Sequence, residues 1–166
     1  SPSSGMYWDE LRNTIQGKEG TGNNWKAFVW HQGENDALDS KPKKKNEQNE
    51  EEKEEDTSLT YLGNLTALVE HARIEMFDAS EVGTWRCKEE IPAIIVQIGY
   101  WPVGERADRV RDAQAQFFVE DTRAALVRTD DLSRFYHYDA PSFLIGGYRI
   151  ARAYEEALSI DVVCPG

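Results

Sequence analysis

Apolar and polar positions along the chain fall into alternating helical and strand-like periods. Met6, Tyr7, Leu11 and Ile15 recur at helical spacing, and Gly17 supplies a stop. Trp25-Lys26-Ala27-Phe28-Val29-Trp30, a compact aromatic and β-branched run after Gly22-Asn23-Asn24, predicts a buried strand. Leu59, Leu62, Leu65, Leu68, Val69, Ala72 and Met76 then form one stripe of a long helix. The run from Ala93 to Gly99 is apolar at nearly every position, which suits a central strand of a parallel sheet covered on both faces. Residues 105–120 carry Val110, Ala113, Phe117 and Phe118 at helical intervals, and Ala124 to Arg128 makes a short strand. Pro141 can open a last helix that directs Phe143, Leu144, Gly147, Ile150, Ala151 and Tyr154 toward the core. Alternation of helix and strand predicts an α/β fold with a parallel sheet, right-handed crossovers and helices on the sheet faces.

One stretch breaks this rhythm. Residues 41–56 are lysine-rich and then glutamate-rich, contain no apolar side chain, and cannot join a core. The expectation is a disordered charged insertion over 41–57 within a single domain spanning 1–166, a length sufficient for one sizeable core.

The formal net charge of −11 argues against nucleic acid or an anionic membrane surface as partner, since both require a basic patch. A neutral or weakly charged substrate fits better. Cys87 and Cys164 are far apart in sequence and lack metal-site or redox spacing, so both are expected to be free thiols. Asn64-Leu65-Thr66 is a glycosylation sequon, but inside a helical pattern it weighs little on localisation. The chain holds no apolar run of membrane-spanning length and opens on Ser1-Pro2-Ser3-Ser4-Gly5 without an initiator Met. It is therefore expected to be soluble, secreted or endomembrane if a leader lies upstream, and to lack its true N-terminus.

In open parallel sheets ligands bind beyond the carboxyl ends of the strands, so polar residues just after a strand are the first candidates. His31, Gln32, Glu34, Asn35 and Asp36 follow the first strand; Asp130 and Asp131 follow the last, with His137 and Asp139 a few residues on. Taken singly, each reads as an ordinary surface histidine or loop carboxylate.

Their combination and placement resemble a known family. The pattern Trp30-His31-Gln32-Gly33-Glu34-Asn35-Asp36 is similar to that of the sialate O-acetylesterase and acetylxylan esterase branch of the SGNH (GDSL) hydrolases. Val110-Arg111-Asp112-Ala113-Gln114 resembles that branch's V-R-x-A-Q helix, and Thr129-Asp130-Asp131-Leu132 its T-x-D-L strand end. His137-Tyr138 followed by Gly147-x-Arg149-x-Ala151 resembles its closing segment. The resemblance implies a three-layer α/β/α sandwich of SGNH hydrolase (flavodoxin-like) type with its N-terminal strands missing. It also implies removal of O-acetyl groups from sugars by a serine nucleophile, with no cofactor and no metal. His137 then matches the catalytic base. Gln32 and Asn35, flanking Gly33, are rival donors to the tetrahedral oxyanion.

Two departures qualify what the resemblance implies. The superfamily places an Asp three residues before the histidine, where this chain has Arg134, so Glu34 or Asp131 must serve as the orienting carboxylate. The Gly-x-Ser turn that carries the nucleophile is not found in these residues, and Ser3 and Ser4 lack the strand-to-turn setting that exposes such a serine. By themselves the 166 residues are expected to be inactive. The alternatives are a catalytically dead carbohydrate-binding or scaffold protein of the same fold, and a hydrolase with no sugar specificity. Arg111, Gln114, Arg149 and the glycines are expected to fix packing and loop geometry, and Trp8, Trp85 and Trp101 to cover the core.

Overall fold

The computed structural model describes residues 6–17, 24–38, 56–132 and 138–165. Its elements are α1 (Met6–Gln16), β1 (Phe28–Trp30), α2 (Glu34–Ala37), α3 (Tyr61–Ala79), β2 (Ala93–Val96), α4 (Glu105–Glu120), β3 (Ala124–Val127) and α5 (Ala140–Leu158), with short 3-10 turns at Thr57–Leu59 and Lys88–Glu90. The strands form one parallel sheet in the order β1-β2-β3, with Trp30 opposite Ile95 and Ile95 opposite Leu126. The mixed α/β class read from the sequence is thus present, and β2 is buried along its whole length, as its apolar run requires.

Strand alternation divides the core in two. Phe28, Trp30, Ala93, Ile95, Ala124 and Leu126 face a large cluster built with Ile15 of α1, Leu65, Val69 and Met76 of α3, and Val110 and Phe117 of α4. Ile94, Val96 and Val127 face the other way, onto Ala153 and Ala157 of α5. Among the described residues α1, α3 and α4, with Ala37 of α2, cover one face and α5 covers the other, and Val29 of β1 stays 46% exposed.

The helices differ from expectation in which residues they bury. On α3 the stripe is Tyr61, Leu65, Val69, Ala72, Arg73 and Met76, while Leu59 lies in the preceding turn and is exposed. Phe118 faces solvent on α4. On α5 the buried residues are Ser142, Ala153 and Ala157; Phe143 and Leu144 are 63% and 77% exposed, and Gly147 and Ala151 also face outward. The helix has apolar residues over more of its circumference than a single sheet contact can bury, and small residues give the closest approach. Pro141 stands in the first turn, and the Asp139 side chain caps that end by accepting from Ser142 N at 2.9 Å.

Residues 39–55, most of the expected insertion, lie outside the described residues. Its last two positions have structural work instead. The Asp56 carboxylate caps the turn at Ser58 and pairs with Arg109 of α4 at 2.7 Å, and these contacts hold its pKa below the ordinary value, with the Ser58 hydrogen bond the largest cause.

The expectation of free thiols is overturned: Cys87 and Cys164 form a disulfide with Cα atoms 5.8 Å apart. After α5 the chain runs back beneath the strands' N-terminal ends. There Arg123 donates to Ile160 O, and Arg86 to Val162 O at 3.2 Å, which delivers Cys164 to Cys87. A sequence separation of 77 residues concealed this proximity.

Candidate functional site

All three strands end on the same side of the sheet, so the segments that follow them converge. β1 leads into His31, Gln32 and Gly33; β2 into Gln97, Ile98 and Gly99; β3 into Arg128, Thr129 and Asp130.

The turn after β1 is held from beneath by neutral polar groups. The Gln32 carbonyl accepts from the Tyr61 hydroxyl at 2.7 Å and from the Gln114 side-chain amide at 3.1 Å. The other end of that amide accepts from Ile98 N at 3.0 Å, so one fully buried glutamine ties the turn after β1 to the end of β2. Trp30 donates its indole N–H to the Tyr61 hydroxyl at 3.2 Å. Burial is the main reason the Tyr61 pKa is pushed up to about 12, so it remains a donor at any ordinary pH.

Gly33 is required by two independent constraints. Its φ of 150° is rarely adopted by L side chains, and a Cβ there would lie 2.9 Å from Val110 Cγ1 and 3.0 Å from Ile98 Cγ2. The bend at Gly33 starts the one-turn helix α2, with Glu34 half-buried and Asn35 exposed on it. The Glu34 carboxylate lies close enough to Tyr61 and Tyr138 to contribute to the raised pKa of both.

From β3, the Thr129 hydroxyl donates to Gln97 O at 2.7 Å and accepts from the Tyr138 hydroxyl at 2.8 Å. The Tyr138 ring stacks on His31 with centroids 5.6 Å apart and meets Phe143 edge-on. A side chain on Gly99 would strike the Tyr138 hydroxyl, with its Cβ only 3.0 Å away. Burial raises the Tyr138 pKa, which keeps this phenol a donor too.

Of the candidates read from the sequence, Gln32, Gly33, Glu34 and Asn35 lie together on the turn after β1. His137 lies outside the described residues; Tyr138, next in the chain, is at the strand ends. Asp131 is turned toward α5, where both its oxygens meet Arg149 at 2.6 Å. That pair pulls the Asp131 pKa down to about 2, chiefly through the Arg149 hydrogen bonds. Asp130 is likewise lowered by Arg128.

Of the motif residues expected to be architectural, Arg111, Gln114 and Arg149 hold backbone carbonyls or turns, whereas Gly147 is exposed with open space at its Cβ position. Arg111 donates to the carbonyls of Gly99, Tyr100 and Pro102 and thereby shapes the loop after β2. Arg149 also donates to Arg128 O at 2.7 Å. Trp85 donates to Trp25 O, and Trp8 packs on His71. A groove of about 310 Å³ between β3 and α5 is lined by Leu126, Arg128, Tyr148, Arg149, Arg152 and Glu156, and its three arginines are already ion-paired.

Sequence reasoning missed Tyr61, the two hydrogen bonds of the Thr129 hydroxyl and the His31–Tyr138 stack. Tyr61 was legible in principle, four residues before Leu65 on the buried spacing 61, 65, 69, 72, 76. Nothing local marked the pairing of His31 with Tyr138, because it joins the ends of different strands.

Compared with protein-family models, curated proteins and solved structures, the chain matches none. Among the described residues no group of three or more His, Cys, Asp or Glu could hold a metal ion, and no helix is long and apolar enough to cross a membrane.

Proposed function

We propose that this chain is the C-terminal part of a carbohydrate O-acetylesterase of SGNH hydrolase type. The observation that supports this most directly is a convergence at the carboxyl ends of the parallel strands. Tyr138, the neighbour of His137, stacks on His31 at the head of the Gln32–Asp36 turn and is tied through the Thr129 hydroxyl to Gln97 at the end of β2. A flavodoxin-like sheet places its chemistry there.

In this reading His137 takes the proton of a serine supplied by chain outside these residues, and the serine oxygen attacks the acetyl carbonyl. Glu34 orients the imidazole and stabilises its cation. Asp131 is the weaker candidate, because its two oxygens are committed to Arg149. Gln32 is held at its backbone by Tyr61 and Gln114, which leaves its side-chain amide, with that of Asn35, to donate to the oxyanion. Collapse of the intermediate releases the sugar hydroxyl, protonated by His137. Water then attacks the acetyl-enzyme under the same base, giving acetate and the free serine.

Acetate release from acetylated xylan or O-acetylated sialic acid by the intact protein tests the proposal. His137→Ala is expected to lower kcat on the order of 1,000-fold, Glu34→Gln on the order of 100-fold, and Asp131→Asn hardly at all. Unchanged turnover in His137→Ala would overturn the mechanism. Sugar binding without acetate release would favour a catalytically dead carbohydrate-binding protein, and activity on lipid esters alone would remove the carbohydrate substrate.

A further inference from the structure

The sequon Asn64-Leu65-Thr66 lies at the start of α3, and two independent observations change its weight. The first is its surface. Asn64 and Thr66 are both exposed, while the intervening Leu65 is 3% exposed and anchors the turn in the core. Around Asn64 the helix presents Thr60, Gly63 and Ala67, all exposed and small, and a Cβ built on Gly63 would meet nothing within 4 Å. A bulky polar group on Asn64 therefore projects into open solvent without displacing any described side chain. The Asn64 amide donates to Thr60 Oγ1 at 3.3 Å through one of its two N–H bonds. An N-linked sugar replaces one and leaves the other.

The second observation is chemical. Cys87 and Cys164 are joined, and stable disulfides belong to oxidising compartments, which in eukaryotic cells are those where asparagine glycosylation takes place.

We infer that Asn64 is an N-glycan acceptor on a chain that matures in an oxidising, secretory compartment. In the transfer, Asn64 Nδ2 forms a bond to the anomeric carbon of a lipid-linked oligosaccharide diphosphate. The bond from that carbon to the diphosphate oxygen breaks, the diphosphate departs on its lipid, and the displaced amide proton passes to base. Attachment precedes folding, because the Thr66 hydroxyl afterwards donates to Leu62 O at 2.9 Å inside the completed helix.

The complete coding sequence, with no added targeting signal, is expressed in eukaryotic cells alongside Asn64→Gln, Thr66→Ala and Thr66→Ser. Intact mass is read before and after an amidase that converts glycosylated Asn to Asp, with and without reductant. The expected result is one amidase-sensitive glycan on the wild type and on Thr66→Ser and none on the other two, with Cys87 and Cys164 linked in the same molecules. Thr66→Ser keeps the sequon while altering the same side chain, so it separates lost modification from lost folding. A wild-type chain with unmodified Asn64, in the medium or inside the microsomal fraction, would overturn the inference, as would a cytosolic chain with reduced cysteines. Neither result bears on the esterase reading.

Discussion

The two ends of the sheet are built from different materials. At the strands' N-terminal ends, charge and covalent linkage dominate. Buried Arg73 donates to Ile91 O at 2.8 Å and pairs with Asp121, Arg123 donates to Glu90 O at 2.9 Å, and the disulfide ties down the returning C-terminal segment. At the C-terminal ends the fixed contacts nearest the turn after β1 are neutral: two phenols, one buried glutamine, a threonine and a glycine that tolerates no side chain. Guanidinium groups committed to carboxylates and carbonyls hold the base of the sheet, while neutral donors hold the Gln32 carbonyl in the turn after β1.

Breaking the charged end should cost most. Asp121→Ala removes the partner of an arginine that is only 6% exposed, and an uncompensated buried charge is worth about 4 kcal/mol of stability. Thermal melting should show Tm falling by roughly 10 °C for a chain of this size. Because Asp121 lies at the far end of the strands, kcat of the folded protein should stay at the wild-type value. A large fall in kcat with Tm unchanged would mean that the two ends are not separate in function.

Gly33→Ala attacks the other end and is next in magnitude. The unfavourable φ of 150° and the 2.9 Å approach to Val110 together make a cost of about 3 kcal/mol. Unlike Asp121→Ala, it should damage function as well, because relief of the clash moves the turn carrying Gln32 and Glu34. If melting and turnover were both unaffected, the rigid neutral support beneath that turn would not exist.

The sequence revealed the two ends unequally. The place of the turn after β1 was readable, because Gln32, Gly33, Glu34 and Asn35 are contiguous and follow an apolar run, so locating β1 located all four. The helix over 105–120 was also legible, since Val110, Ala113 and Phe117 keep its period and are buried on it. The charged end was not. Arg73 sits inside an apolar stripe where a cation reads as an interruption, and its partner Asp121 is 48 residues away. The disulfide was misread for the same reason: contacts closed by the returning C-terminal segment leave no local pattern. On α5, periodicity gave the helix but not its orientation, because apolar residues occupy too much of its surface for sequence alone to choose which side meets the sheet.

The smallest effect is expected where the C-terminal end does use charge, at Asp131 and Arg149. The Asp131 carboxyl titrates near 2 in the folded protein against an ordinary value of 3.8. A carboxylate with a depressed pKa contributes stability above its unfolded value and loses that contribution as pH falls through the folded one. Asp131→Asn should therefore lower Tm slightly at neutral pH, and the gap from wild type should close as pH falls from about 4 to about 2. The pair is solvent-exposed and screened, so added salt should shrink the neutral-pH gap as well. Turnover of acetyl ester by the intact protein should be indifferent to the change. A loss in Asp131→Asn as deep as that in Glu34→Gln would reverse the assignment of the two carboxylates, making Asp131 the partner of the histidine despite its commitment to Arg149.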